Sequence, residues 1–205
     1  MASPSEVSIA NSALIKIGSR QRITSLTQTN SVAAAYCNEQ YAKVRDALLE
    51  EANWKFALTW ASLTRTSVTP TAEYDYEFTN PSDRIRIVLI ADNDAGVGKV
   101  PYRIAGDRII SDANELWLLY VRKETDPNVM SPMFREALAW RLAYDLAAVI
   151  TDAATTRDSM ERAVVRAVAR AKASDSMQNY PEMMPYGTWV TQRHRDSDEW
   201  ATRNI

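Results

Sequence analysis

The spacing of apolar residues changes twice along the chain, and this limits the folds it can adopt. Up to about residue 65, and again after about residue 128, apolar residues recur every three or four positions, as in amphipathic helices. Between these stretches they alternate with polar residues, as in half-buried strands. The sequence therefore predicts a mainly α fold of the α+β class: a bundle of about four helices, with a small antiparallel sheet between helices 2 and 3.

Local signals mark where these helices begin and end. Serine followed by proline at the first helical position, or serine alone as a cap, is typical of a helix start, and glycine is typical of a helix end. A capping-box spacing adds to the first start. The residues concerned are Ser3, Pro4 and Glu6 for the first helix, Gly18 for its end, Ser31 for the second helix, and Ser131 with Pro132 for the third. The fourth helix is expected from about Thr155.

Each long helix is expected to bury one stripe. The predicted stripes are Cys37, Tyr41, Val44 and Leu48 in the second helix, Phe134, Leu138, Leu142, Leu146 and Val149 in the third, and Met160, Val164, Ala167, Val168 and Ala171 in the fourth. Charged residues off the second stripe are expected to face water or a neighbouring subunit. These are Glu39, Lys43, Arg45 and Asp46.

The middle of the chain carries strand and turn signals. Aromatic or aliphatic residues alternate with polar ones from Tyr74 to Phe78 and from Arg84 to Leu89, with a turn at 80–83 between them. A hairpin is expected around Gly106-Asp107, and a longer strand at 115–121. We accordingly divide the chain into four parts. They are 1–65 and 128–174 as the two halves of the bundle, 66–127 as a β-rich insert, and 175–205 as an extended C-terminal arm.

The C-terminal arm has apolar residues without a regular period, so it has no obvious way to bury them alone. An arm that docks on another protein would bury them, and we favour that interpretation over a tail packed back on its own domain. The residues expected to make such a contact are Tyr180, Pro181, Met183, Met184, Pro185, Tyr186, Trp189 and Trp200.

The charge pattern argues against tight DNA binding. The net charge is -2, whereas proteins that grip phosphates usually carry a basic excess. One face of the fourth helix is nonetheless basic and could contact nucleic acid, but we favour a face that is solvated or contacts a neighbouring subunit. Its residues, candidates for an inter-subunit or lumen surface, are Arg157, Arg162, Arg166, Arg170 and Lys172.

No motif in the sequence predicts catalysis, a metal or a cofactor. The segment 96–99 (GVGK) lacks the first glycine and the hydroxyl residue of a phosphate loop. The acidic run at 92–94 lacks the acid that closes a calcium loop. The single cysteine, Cys37, and single histidine, His194, exclude a cysteine-based zinc site and suggest no catalytic pair. No apolar window is long enough for a membrane span, and the N-terminus does not resemble a secretory signal.

Four segments, in order, resemble the tail tubular protein A family of phage head-to-tail adaptors. The resemblance covers most of residues 5–175. Its parts are Ile17-Gly18 followed by the loop from Ile23 to Leu26; Arg45, Asp46, Leu48 and Leu49 running into Trp54, Phe56 and Ala57; Tyr74, Tyr76, Pro81, Asp83 and Arg86, with one residue more before the proline than the family has; and the helix 132–147. The ordered series of four segments is much more specific than any one of them.

The resemblance implies a structural role in the virion neck and no enzymatic activity. Adaptors of this family form a ring, usually of twelve copies, below the portal protein. They extend the DNA channel, retain the packaged DNA and give the tail or nozzle protein a docking surface, with DNA passing through the lumen without sequence-specific binding. The β-rich insert would then face the tail side and the arm the portal, after assembly in the host cytoplasm.

Two other functions are kept as alternatives. A peptidoglycan hydrolase acting at infection would need two carboxylates at a defined separation across a cleft. The candidate pairs are Glu50 with Glu51, and Asp75 with Glu77. A helical DNA-binding module would shift DNA mobility at physiological salt, which we do not expect.

Overall fold

The computed structural model describes residues 3–68, 70, 74–93, 96, 100–150 and 154–178. Within these ranges there are four α-helices, a short 3-10 helix and six strands, so the chain is of the α+β class. The helices are α1 (Glu6–Lys16), α2 (Val32–Glu50), α3 (Pro132–Ile150) and α4 (Ala154–Ser176), with the 3-10 helix at Lys55–Ala57. The strands are β1 (Leu58–Ser62), β2 (Tyr76–Thr79), β3 (Arg84–Ala91), β4 (Arg103–Ala105), β5 (Arg108–Ser111) and β6 (Trp117–Arg122).

The predicted start of the first helix was wrong by two residues. The cap is Ser5, whose hydroxyl accepts from the Ser8 N–H at 3.1 Å, while the Ser8 hydroxyl accepts from the Ser5 N–H at 2.9 Å. Ser3 instead donates to the side chain of Asn128 at 2.7 Å. A serine in place of the glutamate thus completes the capping box, and Pro4 precedes the helix.

The other helix boundaries agree with the prediction. Gly18 has φ of +75°, and the N–H of the following Ser19 reaches the Leu14 carbonyl at 3.0 Å, which closes α1. The Ser31 hydroxyl caps α2 at the Ala34 N–H, and the Ser131 hydroxyl caps α3 at the Phe134 N–H, both at 3.2 Å. Because each signal acts within four residues, it can be recognised in the sequence without knowledge of the fold.

The helical core is built around α3, which packs against α1, α2 and α4. Its centre is an aromatic cluster. The rings of Trp54 and Phe56 both meet Phe134 edge-on, with centroids 4.9 Å apart in each case. The indole N–H of Trp54 donates to the Leu48 carbonyl at 2.8 Å, so the buried tryptophan has no unsatisfied donor.

The predicted stripes lie in this core except at Val149, and one residue predicted to face water or a neighbouring subunit is buried instead. Arg45 is 4% exposed rather than facing water. It is held by Asp46 at 2.8 Å and lies 4.0 Å from Glu6, so its charge is compensated. Val149 is 52% exposed although Leu142 and Leu146 are buried, so the cover over this stripe ends before the last turn of α3.

The strands form two antiparallel sheets, not the single sheet that was predicted. One has the order β1-β6-β3 and the other β2-β5-β4. The sequence predicts strands only from about residue 66, so it does not predict the first strand, β1, which lies before that point. It pairs with β6 from Leu58↔Val121 to Ser62↔Trp117, a contact between residues far apart in the chain.

The sheet β1-β6-β3 separates two hydrophobic cores. Val121 lies in the helical core, whereas its neighbours Leu118 and Tyr120 lie in a second core between the two sheets. Strand β3 serves both cores through two register shifts, which place Ile85 towards the helices and Ile87 towards the second core. Although Ile85 and Ile87 are two positions apart in the strand, they therefore do not face the same core.

Candidate functional site

Helix α4 lies over α3 and is held at its C-terminal end by one buried acid. Both carboxylate oxygens of Asp175 accept from the backbone N–H of Lys55 at 3.1 Å, and Asp175 is 6% exposed. Burial raises the pKa of Asp175, while the hydrogen bond from Lys55 acts in the opposite direction. This contact fixes the end of α4 beside the start of the 3-10 helix.

On one flank of α4, an open groove of about 720 Å³ separates it from α2. We call it the α2–α4 groove. Val44 and Val168 form its buried apolar floor, and Val165, which is 63% exposed, stands along it. At one end Glu51 pairs with Arg141 and, at 3.4 Å, with Lys172. The groove is thus apolar inside and carries both signs of charge at its rim.

On the other flank, α4 presents Arg162, Arg166 and Arg170, which we call the arginine row. The three are exposed and lie four residues apart, so they share one side of the helix. Within the described part of the chain, none of them has a carboxylate oxygen within 4 Å. Arg166 Nε donates to the Arg162 carbonyl at 3.2 Å. The row is therefore a line of positive charge without an acidic partner among those residues.

Two residues of the arginine row, Arg166 and Arg170, line a smaller groove of about 440 Å³ between α3 and α4. Met133, which is 46% exposed, and Trp140 lie in it beside Arg166 and Arg170. The Lys16 ammonium sits 4.4 Å above the Trp140 ring and pairs with Glu136 at 2.6 Å. An apolar strip next to an arginine row has the composition of a protein-binding surface, in which aromatic, methionine and arginine side chains are enriched.

The structure brings together only some of the residues predicted for the basic face of α4. Arg162, Arg166 and Arg170 lie together, but Lys172 lies on the opposite flank, in the α2–α4 groove. Two residues after Arg170 the helix has turned by about 200°, so Lys172 does not share its face. The backbone of Arg157 is described as part of α4, but its side chain lies outside the described residues.

Every residue predicted to dock on a portal lies outside the described residues. They are the aromatic, methionine and proline positions named above, between 180 and 200. His194, which was considered for catalysis, also lies outside the described residues. Three residues of the two grooves were not predicted as surface-site residues from the sequence: Met133, Trp140 and Val165. Trp140 had a signal, since it stands three positions from Ala137 on the flank of a helix, but only the placement of α4 distinguishes that flank from the core.

The carboxylates considered for hydrolysis are placed as follows. Glu51 is engaged by Arg141 and Lys172, whereas its neighbour Glu50 is exposed. Glu77 lies 3.7 Å from Arg108, and Asp75 is exposed. Cys37 is fully buried, and burial raises the pKa of its thiol to about 11.

The remaining motifs give little further chemistry. Of the segment 96–99, only Gly96 is described; it has φ of +69° and lies against the Trp60 ring. Asp94, the third residue of the acidic run, lies outside the described residues. Among described residues, no three His, Cys, Asp or Glu side chains are grouped to hold a metal ion. No described helix is long and apolar enough to cross a membrane.

No protein-family model matches the chain, and no curated protein matches it.

Proposed function

We propose that this chain is a structural subunit of a phage head-to-tail adaptor that assembles as a ring below the portal protein. The observation that carries the proposal is the arginine row on α4, which is exposed, regular and without acidic partners in the described structure. Three aligned guanidinium groups beside an apolar strip are poorly explained by solubility alone, and they suit a partner with carboxylates. The ordered resemblance to tail tubular protein A adaptors supports this class of assembly.

The ring requires each subunit to present two different surfaces that match each other. A heterologous contact of this kind closes into a ring when the rotation between subunits is suitable. We assign the arginine row to one surface and the outer side of α2 to the other, where Glu39 and Glu50 are exposed. Among the described residues, Glu39 pairs with Lys43, four residues on, at 3.1 Å on the surface. Such an exposed pair contributes little stability, so Glu39 can exchange Lys43 for a new partner at low cost.

The remaining roles are those that the resemblance to the adaptor family implies. The arm predicted to begin at residue 175 would begin later, because α4 runs to Ser176 and Asp175 is buried. The segment after Gln178 would reach the portal through Tyr180, Met183, Met184, Tyr186, Trp189 and Trp200. The β-rich part would face the tail or nozzle protein. Packaged double-stranded DNA would pass through the lumen without sequence-specific contacts. Such a protein would act in the virion neck and would need no cofactor.

The test is charge reversal with a matched control. Replacing Arg166 and Arg170 by glutamate should abolish ring assembly on the portal, seen by negative-stain electron microscopy and native mass spectrometry. The control replaces Arg20 and Arg22, which are also exposed arginines, by glutamate and changes the net charge by the same amount. Unimpaired rings with the α4 variant, or equal loss with both variants, would refute the role of the row.

The arm is tested separately by ending the chain after Gln178. The described helices all end before that residue, so we expect the helical CD signal to stay close to that of the full chain. Portal binding, measured by surface plasmon resonance, should be lost. Binding with unchanged affinity would show that the arm is not the docking element.

A further inference from the structure

The α2–α4 groove leaves apolar surface uncovered on the described part of the chain. Val165 is 63% exposed along it, and Ala169, one turn further on, is also exposed. Both residues line the same groove as the buried Val44 and Val168. A concave apolar floor with a charged rim is the usual form of a site that receives an extended or helical peptide.

The chain leaves the described structure at one end of this groove. Lys172 and Glu51 close that end by pairing with each other, and Asp175 fixes the next turn of α4 to Lys55. The described part then stops at Gln178, three residues beyond Asp175. The described part of the chain therefore ends only six residues beyond Lys172, the last residue of α4 that lines the groove.

The length that follows is more than sufficient. Along α4 the groove runs from Glu161 to Lys172, about 17 Å at the rise of an α-helix. An extended chain covers that distance in about five or six residues. The residues after Gln178 number 27 (205 minus 178), so they allow a reversal of direction as well as a full crossing of the groove.

The composition of the following segment also suits the groove. Residues 180–190 contain two tyrosines, two methionines, a tryptophan and a valine, with one acidic residue. Tyrosine and tryptophan combine an apolar ring with a polar end, so they suit an apolar floor beneath a charged rim. Methionine adapts to irregular apolar surfaces.

We propose that, in the free chain, residues 180–190 bind in the α2–α4 groove of the same molecule. The covalent link favours this occupant over a second copy, because a short linker gives an effective concentration in the millimolar range. The inference concerns the chain by itself and holds whether or not it binds a portal. The bound segment would shield Val165 and Ala169 until a partner competes for it.

Disulfide trapping in the full chain tests the proposal. Val165→Cys provides one thiol in the groove, and Met184→Cys or Tyr186→Cys provides the other. The native Cys37 is fully buried and its thiol pKa is about 11, so it contributes little reaction at pH 8. Mild oxidation should give an intramolecular disulfide, identified by non-reducing gel mobility and peptide mass mapping.

The control places the first thiol on an equally exposed apolar site away from the groove. Ile15→Cys serves, because Ile15 is 61% exposed on α1 and does not line the groove. The groove thiol should react at least about tenfold faster than this control, because both pairs share the chain connection and only the bound segment holds its thiol next to the groove. Ala169→Cys provides a second groove position if Val165→Cys fails to fold.

Two results would overturn the proposal. Equal rates at the groove and control positions would mean that the segment does not favour the groove. A disulfide-linked dimer as the main product would identify a second copy as the occupant. Neither result bears on the ring or portal assays, which are read out on different variants.

Discussion

The two hydrophobic cores differ in what surrounds them. The helical core is enclosed by all four helices and one face of the β1-β6-β3 sheet, and it contains the Trp54, Phe56 and Phe134 cluster. The second core lies between two three-stranded sheets and is centred on Phe78, Ile109 and Leu118. It buries far fewer side chains, so it has less apolar surface to offset the cost of ordering its strands.

The shared sheet suggests how the two cores depend on each other. Because β6 contributes Val121 to one core and Leu118 to the other, loss of the helical core removes the support of the whole sheet. The reverse need not hold, since β2 and β5 contribute only to the second core, and β4 is exposed along its length and contributes to neither. The difference predicts a hierarchy in which the β2-β5-β4 sheet opens first and the helical core last.

The largest effect is expected from Phe134→Ala. Phe134 is fully buried and meets both Trp54 and Phe56 edge-on, so truncation leaves a cavity that rigid rings cannot fill. The free energy of unfolding should fall by about 3–5 kcal/mol. Urea unfolding followed by far-UV CD measures it. A loss below about 1 kcal/mol, which is ordinary for a surface site, would show that the cluster is not the centre of the core.

How much of this arrangement the sequence revealed depends on the distance over which each feature is determined. The caps at Ser31 and Ser131 and the end of α1 at Gly18 depend on neighbours within one turn, and they were predicted correctly. The cap at Ser5 was not, because Ser3 offers the same local signal and only its hydrogen bond to Asn128 distinguishes the two. The burial of Arg45 depends on Glu6, which lies on another helix.

The sheets and the candidate surfaces depend on long-range contacts. Strand β1 exists because it pairs with β6, some sixty residues away, and the register shifts in β3 follow from serving two cores. The arginine row was visible as i, i+4 spacing. Two other features follow from how α4 lies on α3: the row has no acidic partners among the described residues, and Lys172 lies on the opposite flank. Sequence spacing alone does not determine that packing.

A smaller effect is expected from Phe78→Ala, the same substitution at a residue of equal burial in the second core. The local loss should be about 3 kcal/mol. If the hierarchy holds, hydrogen exchange should speed up at amides of β2, β4 and β5 while amides of α2 and α3 keep their protection. Equal loss of protection in the helices would show that the two cores unfold as one unit.

Asp175 tests the attachment of α4 with a matched pair. Asp175→Ala leaves the Lys55 N–H without its acceptor, at a cost of about 1–3 kcal/mol. Asp175→Asn keeps one acceptor oxygen and removes the buried charge, so it should cost less than about 1 kcal/mol at pH 7. Thermal unfolding of both variants gives the comparison. Similar losses for both would mean that the charge, and not the hydrogen bond, holds the helix.

The same pair predicts a pH dependence. Since the pKa of Asp175 is raised above its usual 3.8 in the folded chain, the folded state binds the proton more tightly than the unfolded state. The contribution of this group to stability therefore falls as the pH rises through the interval from 3.8 to the raised value, and it is constant at higher pH. The stability difference between parent and Asp175→Asn, measured by urea unfolding at several pH values, should change in that interval only.

The smallest expected effect is an absence of change, and it distinguishes the two cores most directly. Cys37 is fully buried in the helical core, and its thiol pKa of about 11 keeps it protonated at pH 8. A thiol reagent should therefore label it only when that core opens. Phe134→Ala should speed the labelling strongly, whereas Phe78→Ala should leave the rate as it is in the parent chain. Faster labelling with Phe78→Ala would place Cys37 within reach of openings that begin in the second core, and the helical core could then no longer be regarded as the part that opens last.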